Sequence, residues 1–256
     1  MASELKAIVL AAGKGTRMRE EGPDVPDAPD ALDAPKVMRE VLGRPLIWYV
    51  LDELSFIGKK DIIIVVGYKK NDVIDYFSGY AFAEQTEQLG TGHAVMAAGA
   101  ALGDFDGAVL VCYGDMPAIR RDTYEALVAA HIGRSNDCTL LTGESSVPLP
   151  YGRVVRDDSG GFKRVVEEKD CTREELGISE LNSGVYVFRA PMLLDALKSV
   201  KRDNSQGEYY LTDAPAIMRN GGAKIGILKR NLGDELIGVN TPAQLKQVEE
   251  ILRKRV

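Results

Sequence analysis

Apolar residues along this chain fall into two kinds of run. Three are short, nearly unbroken and followed by glycine: Leu5–Ala11 before Gly13, Asp61–Val66 (DIIIVV) before Gly67, and Gly107–Tyr113 (GAVLVCY) before Gly114. Runs of this length without polar alternation predict strands buried on both faces. Between them the spacing becomes helical. Pro45–Phe56 opens with proline in the first turn, Thr91–Leu102 is rich in alanine, and Arg120–His131 sets Tyr124, Leu127 and Val128 on one side. Alternation of strand and helix predicts an α/β fold with a largely parallel sheet and right-handed crossovers.

The second half is less regular. Val154–Asp158 and Phe162–Glu168 flank Ser159-Gly160-Gly161, which predicts a hairpin. Gly184–Phe188 reads as a strand, Pro191–Ser199 as a short helix and Ala223–Leu228 as a late strand. A last helix opens at Thr241-Pro242, with Thr at the N-cap, Pro in the first turn and basic residues near Arg253. Nothing repeats at a fixed period, and no hexapeptide pattern of a β-helix follows.

Composition narrows the class. The 256 residues are 45% hydrophobic and 27% charged, which fits a globular chain with a sizeable core and excludes a disordered or disulfide-stapled one. A net charge of −6 argues against a nucleic-acid partner. Cys112, Cys138 and Cys171 are far apart and lack metal-ligand spacing, so they read as reduced thiols of a cytoplasmic protein. No apolar stretch nears the roughly 20 residues of a membrane span. The first ten residues carry Glu4 and Lys6 and run into glycines, unlike a signal peptide.

Residues 20–35 (EEGPDVPDAPDALDAP) stand apart, with prolines at 23, 26, 29 and 35 and aspartates at 24, 27, 30 and 33. Proline blocks helix and like charges repel, so the segment is expected to be an extended, mobile surface insertion or a lid. It lacks the D-x-D-x-D-G order of a calcium loop.

The strongest chemical signal is LAAGKGTRM at residues 10–18, where the first strand ends. Small residues there let backbone N–H groups approach an anion. The order of Gly15 and Thr16 excludes a P-loop, and Met18 stands where a dinucleotide fingerprint needs a small residue. Taken alone, the turn could equally be structural punctuation. Likewise Asp115 could cap a helix, Gln85 and Gln88 could be surface residues, Glu167 could be a solvated strand end, and His93 is assigned no chemistry.

These segments together resemble the sugar-nucleotide pyrophosphorylases (nucleotidyltransferases), most closely the uridyltransferase domains of the bacterial N-acetylglucosamine-1-phosphate uridyltransferases. The likeness runs in order through LAAGKGTRM (10–18), PKVM (35–38), EQTEQLGTGHA (84–94), YGDMP (113–117), YGR (151–153), VVEEKD (165–170), ELNSGVY (180–186), GEYYLTD (207–213) and GVN (238–240). The resemblance implies a Rossmann-like mixed sheet flanked by helices over residues 1–240, followed by the helix at 241–256.

It also implies an activity: transfer of a uridylyl group from UTP to N-acetylglucosamine 1-phosphate, with release of pyrophosphate. The phosphate nucleophile is already ionised, so no general base is needed. Arg17 and Lys36, separated by eighteen residues, are the implied catalytic cations. The implied nucleotide site comprises Leu10, Ala11, Ala12, Gly13, Gly15, Thr16, Gln85, Gln88, Gly90, Thr91, Tyr113 and Gly114. Thr91 also borders the sugar, for which Gly152, Glu167 and Asn182 are implied. Asp115 and Asn240 are the implied Mg²⁺ ligands, hard oxygen donors suited to an ion that keeps several waters. The alternatives are the same chemistry on glucose or N-acetylmuramic acid 1-phosphate, and a catalytically silent nucleotide-sugar sensor. The bifunctional enzymes continue into an acetyltransferase β-helix where this sequence stops. The expectation is therefore a pyrophosphorylase domain, either alone or as part of a longer chain, and the trimer built by that second domain is not carried over.

Overall fold

A computed structural model describes residues 4–15, 34–145 and 149–255. Thr16, Arg17 and residues 20–33 of the Pro/Asp-rich segment lie outside the described residues. The strands are β1 (Leu5–Leu10), β2 (Glu40–Val41), β3 (Arg44–Pro45), β4 (Ile62–Val66), β5 (Ala81–Glu84), β6 (Ala108–Tyr113), β7 (Cys138–Glu144), β8 (Arg153–Arg156), β9 (Phe162–Val166), β10 (Glu180–Arg189) and β11 (Ile225–Arg230). The helices are α1 (Leu46–Glu53), α2 (Lys70–Tyr76), α3 (Thr91–Ala97), α4 (Gly99–Leu102), α5 (Arg121–Gly133), α6 (Ala190–Leu197), α7 (Ala214–Asn220) and α8 (Pro242–Arg253).

Nine of the described strands form one sheet in the order β11-β7-β10-β6-β1-β4-β5, with the β8–β9 hairpin attached to β10. The pairs β1–β4, β1–β6, β4–β5 and β7–β11 are parallel. Strand β10 runs against both its neighbours, β6 and β7. The fold is mixed α/β with a mostly parallel sheet, as the pattern predicts.

Side chains alternate across this sheet and make two cores. Ile8, Ile63, Val65, Val109, Tyr186 and Phe188 pack with Val95, Leu102, Leu193 and Leu197. On the opposite face Ala7, Val9, Ile62, Ile64, Leu110 and Val187 pack with Ile47, Val50, Tyr124 and Leu127. Helices therefore cover both faces, which is why β4 is buried at every position. A third, small cluster joins Val41 and Leu46 to Val239, Val248 and Leu252, and so docks α8 near the first helix.

Several predicted boundaries shift. Pro45 precedes the helix rather than opening it, because it pairs with Glu40 across the β2–β3 ladder. The predicted helix over 91–102 is split at Ala98, whose N–H bonds back to Val95 with a tightened turn. The predicted strand 184–188 is the second half of a ten-residue strand. Its first half carries polar residues that are buried and paired. Glu180 is held by Arg156 and Thr142, and Asn182 by Tyr186. Strand β7 is missed by the pattern for a similar reason: Thr139 and Thr142 are buried, bonded to Asn136 and Glu180. The last helix starts as predicted, with the Thr241 side chain accepting from the Gln244 N–H at 3.2 Å. Within the described residues no helix is long and apolar enough to cross a membrane.

Candidate active site

The carboxyl ends of β1, β4 and β6 lie side by side, and the antiparallel β10 brings its amino end to the same edge. This is where open α/β sheets hold ligands. A cleft of about 410 Å³ opens there. Its wall includes Leu10, Ala11, Ala12, Gly13, Lys36, Gln85, Gln88, Gly90, Thr91, Tyr113, Asp115, Gly152, Glu167, Asn182 and Asn240. Gly15 and Gly114 sit just behind that wall. Gly15 lies against the Lys36 side chain, and the Gly114 N–H donates to Leu10 O at 2.9 Å. Arg17 and Thr16 fall outside the described residues.

Loop 11–15 extends β1 and stays stitched to the sheet, with the Ala11 N–H donating to Val65 O at 2.9 Å. Pro35 leads into a single 3₁₀ turn, Lys36–Met38, that lays Lys36 beside this loop. Residues 15 and 36 therefore meet, although twenty residues lie between them in sequence.

The Lys36 ammonium reaches two oxygens at once. It pairs with Asp115 Oδ2 and donates to Asn240 Oδ1 at 3.0 Å. Asp115 follows the end of β6, and its carbonyl accepts from the Val239 N–H at 2.9 Å, which draws the 238–240 loop alongside. Tyr151 clamps the same loop. Its hydroxyl donates to Leu236 O at 2.6 Å and accepts from the Gly238 N–H at 2.9 Å. Burial pushes the Tyr151 phenol up to about 12, so it stays protonated in that role. Asn240 is also tied to α8, its N–H donating to Gln244 Oε1 at 2.8 Å.

The donor set fits a divalent ion. Two hard oxygens, one anionic, converge on one cationic nitrogen, and a Mg²⁺ ion would need no more from the protein if waters and phosphates filled its other positions. No group of three or more His, Cys, Asp or Glu suited to a metal occurs among the described residues.

Gln85, only 4% exposed, opens the loop before α3. Its Nε2 donates to Gly90 O at 3.0 Å and lies 3.1 Å from His93 Nδ1. Both N–H groups are thereby committed within the protein, and the carbonyl Oε1 is what Gln85 offers a ligand. His93 is accordingly a holder of Gln85, with its ring against Tyr209 at 6.2 Å. The Gly207–Asp213 segment straps this loop. Tyr209 N–H donates to Leu89 O at 2.8 Å, Gly92 N–H to Tyr209 O at 2.7 Å, and Leu211 N–H to Thr91 Oγ1 at 3.0 Å.

Glu167 is half-buried and has no ion-pair partner among the described residues. It accepts from the Thr212 hydroxyl at 2.9 Å. Burial, and after it the carboxylates of Asp213, Asp170 and Glu208, hold its carboxyl above the usual range against the pull of Thr212. Among the described lining residues Lys36 is the one cation, facing the carboxylates Asp115, Glu167 and Glu208. Anions entering this cleft need further positive charge, from backbone N–H groups or from a metal ion.

The wall also contains Tyr151, Gly184 and Glu208, which sequence reasoning does not single out as site residues. Each belongs to a quoted motif, YGR, ELNSGVY or GEYYLTD, and that membership was the available signal.

A profile described as the MobA-like NTP transferase domain matches residues 7–210. The chain belongs to that nucleotidyltransferase family. It is 42% identical over 254 residues to the bifunctional protein GlmU of Caldanaerobacter subterraneus subsp. tengcongensis, covering 99% of this chain and 52% of that protein. Identity to the bifunctional protein GlmU of Clostridioides difficile is 40% over 252 residues, 98% of this chain and 52% of the relative. The chain thus spans about half the length of the curated relatives it matches. A UDP-glucose pyrophosphorylase solved with UDP-glucose shares the fold at a TM-score of 0.75 and 17% identity, over 98% of this chain and 99% of that one.

Proposed function

We propose that this chain transfers a uridylyl group from UTP to N-acetylglucosamine 1-phosphate, giving UDP-N-acetylglucosamine and pyrophosphate. The observation that carries this reading is the meeting of Lys36, Asp115 and Asn240, from three distant segments, in one cleft with Gln85, Glu167 and Asn182. The kinship with GlmU over nearly the whole chain supports it.

In this mechanism an oxygen of the sugar phosphate attacks the α-phosphorus of UTP. The new O–P bond forms as the bond to the β-phosphate oxygen breaks, and pyrophosphate leaves with the electron pair. The nucleophile is an anion already, so no proton moves. Gln85 Oε1 accepts from the imide N–H of uracil, while the 11–15 backbone and Lys36 hold the phosphates, with Arg17 assigned to the same task. Mg²⁺ held by Asp115 and Asn240 would neutralise phosphate charge and help align the reacting groups. With Asp115 and Asn240 engaged by such an ion, Lys36 would be free to bind phosphate. Glu167 and Asn182 bond the sugar. Reduced buried thiols at Cys112 and Cys138 and a nucleotide triphosphate substrate accord with a cytoplasmic setting.

Pyrophosphate release with UTP, Mg²⁺ and a panel of sugar 1-phosphates tests the substrate. We expect the highest kcat/KM with N-acetylglucosamine 1-phosphate. Preference for glucose or N-acetylmuramic acid 1-phosphate would reassign the sugar, and no turnover with any would leave a silent binder.

A further inference from the structure

We infer that Tyr186 is a positioning residue of the sugar subsite, whose buried hydroxyl anchors the Asn182 amide that the Gly184 N–H orients. The inference rests on the proposed function and assigns a task to a residue outside the cleft wall.

The register of β10 against β7 shifts between Asn182 and Tyr186, so the intervening Ser183-Gly184-Val185 bulges from the ladder. Gly184 makes this possible: its φ is +78°, and a Cβ there would lie 2.4 Å from the Tyr113 ring. Ser183 ties the bulge both to β7 and to itself. Ser183 Oγ donates to Leu141 O at 2.8 Å and accepts from the Val185 N–H at 3.3 Å.

This geometry grips the Asn182 side chain at both ends. The Gly184 N–H donates to Asn182 Oδ1 at 3.3 Å, and Asn182 Nδ2 donates to the Tyr186 hydroxyl at 2.6 Å. A half-turn of the amide would face its NH₂ to the Gly184 N–H, donor against donor. One N–H and one oxygen lone pair of Asn182 remain for a ligand, each in a fixed direction.

Tyr186 can hold the amide in place because it is itself immobile. It is fully buried, its ring stacked on Phe188 at 5.4 Å and 27°. Burial pushes its phenol far up, so the hydroxyl is permanently neutral. The rigidity of the sheet core thus reaches the sugar subsite through the Tyr186 hydroxyl as well as the Gly184 N–H.

Tyr186→Phe keeps the stacked ring and removes only that atom. The expected result is a rise of about tenfold in KM for the sugar 1-phosphate, the scale of leaving one buried donor unpartnered, with KM for UTP unchanged. Melting temperature should fall by only a few degrees, so the folded state is kept. Adding Tyr186→Phe to Asn182→Ala should change nothing further, since the residue it positions is gone. Native kinetics in Tyr186→Phe, an equal loss for both substrates, or additivity with Asn182→Ala would overturn the inference while the functional reading stands. Absence of turnover with every sugar 1-phosphate in the parent chain would overturn the functional reading, and this inference with it.

Discussion

Lys36 lies between the carboxylate of Asp115 and the side-chain carbonyl of Asn240, the two oxygens proposed to hold a metal ion. Asp115→Ala or Asn240→Ala should lower turnover at saturating Mg²⁺ by at least about 10²-fold, the scale of one preorganised electrostatic contact. Near-native rates in both variants would remove the metal assignment. Glu167 gives a second test with a definite sign. Its raised pKa means the folded chain keeps this proton to higher pH than the unfolded one does. Its stabilising contribution is therefore complete below the unfolded pKa and is lost as pH rises through the folded value. Glu167→Gln, neutral throughout, should melt above the parent near pH 7, with the gap closing toward about pH 4, while KM for the sugar phosphate rises. A variant that melts below the parent at neutral pH would contradict this. Asp115, Lys36 and Asn240 were legible as residue types within motifs, but the Lys36 contact was not. It depends on residues 15 and 36 meeting across the Pro/Asp-rich segment. The clamp by Tyr151 was equally hidden, since its partners Leu236 and Gly238 lie some eighty residues away.

Among the elements, the glycine-tight turns and β10 do most to build the cleft. Gly90 has φ +111°, and a Cβ there would come within 2.6 Å of Tyr209 O and 2.9 Å of Tyr209 N. The strap at 207–213 can lie against the Gln85–Thr91 loop only because that Cβ is missing. Gly90→Ala should destabilise the chain by roughly 1–3 kcal/mol and raise KM for UTP more than for the sugar phosphate. Thermal melts and paired KM values check both, and an unaltered KM for UTP would show that the strap does not set the nucleotide loop. The buried parallel strands were readable from apolar runs alone, because a strand covered on both faces has no polar positions. Strand β10 was half-read. The polar residues of its first half are buried by pairing with Thr142, Arg156 and Tyr186, which a hydrophobic pattern cannot register. The hairpin β8–β9 was readable because its turn chemistry is local: Asp157 Oδ1 accepts from the Gly161 N–H at 2.9 Å.

At the scale of the molecule, one inverted strand completes the cleft. Running β10 against β6 and β7 brings Asn182 to the edge where β1 and β6 deliver the glycine turn and Asp115. α8, docked through Val239, Val248 and Leu252, closes the same edge with Asn240. Alternation of strands and helices announced the class of fold, and the ordered motifs announced many of the residues that line the cleft. Their convergence required the sheet order, which no local pattern contains. The most direct test is ³¹P NMR of one mixture: the protein, UTP, N-acetylglucosamine 1-phosphate and Mg²⁺. The account predicts that the triphosphate and sugar phosphate signals fall together while those of a nucleotide diphosphate sugar and of pyrophosphate rise in equal amounts, and that omitting either substrate or Mg²⁺ stops the change. Unaltered spectra, or inorganic phosphate accumulating from UTP without the sugar, would contradict it.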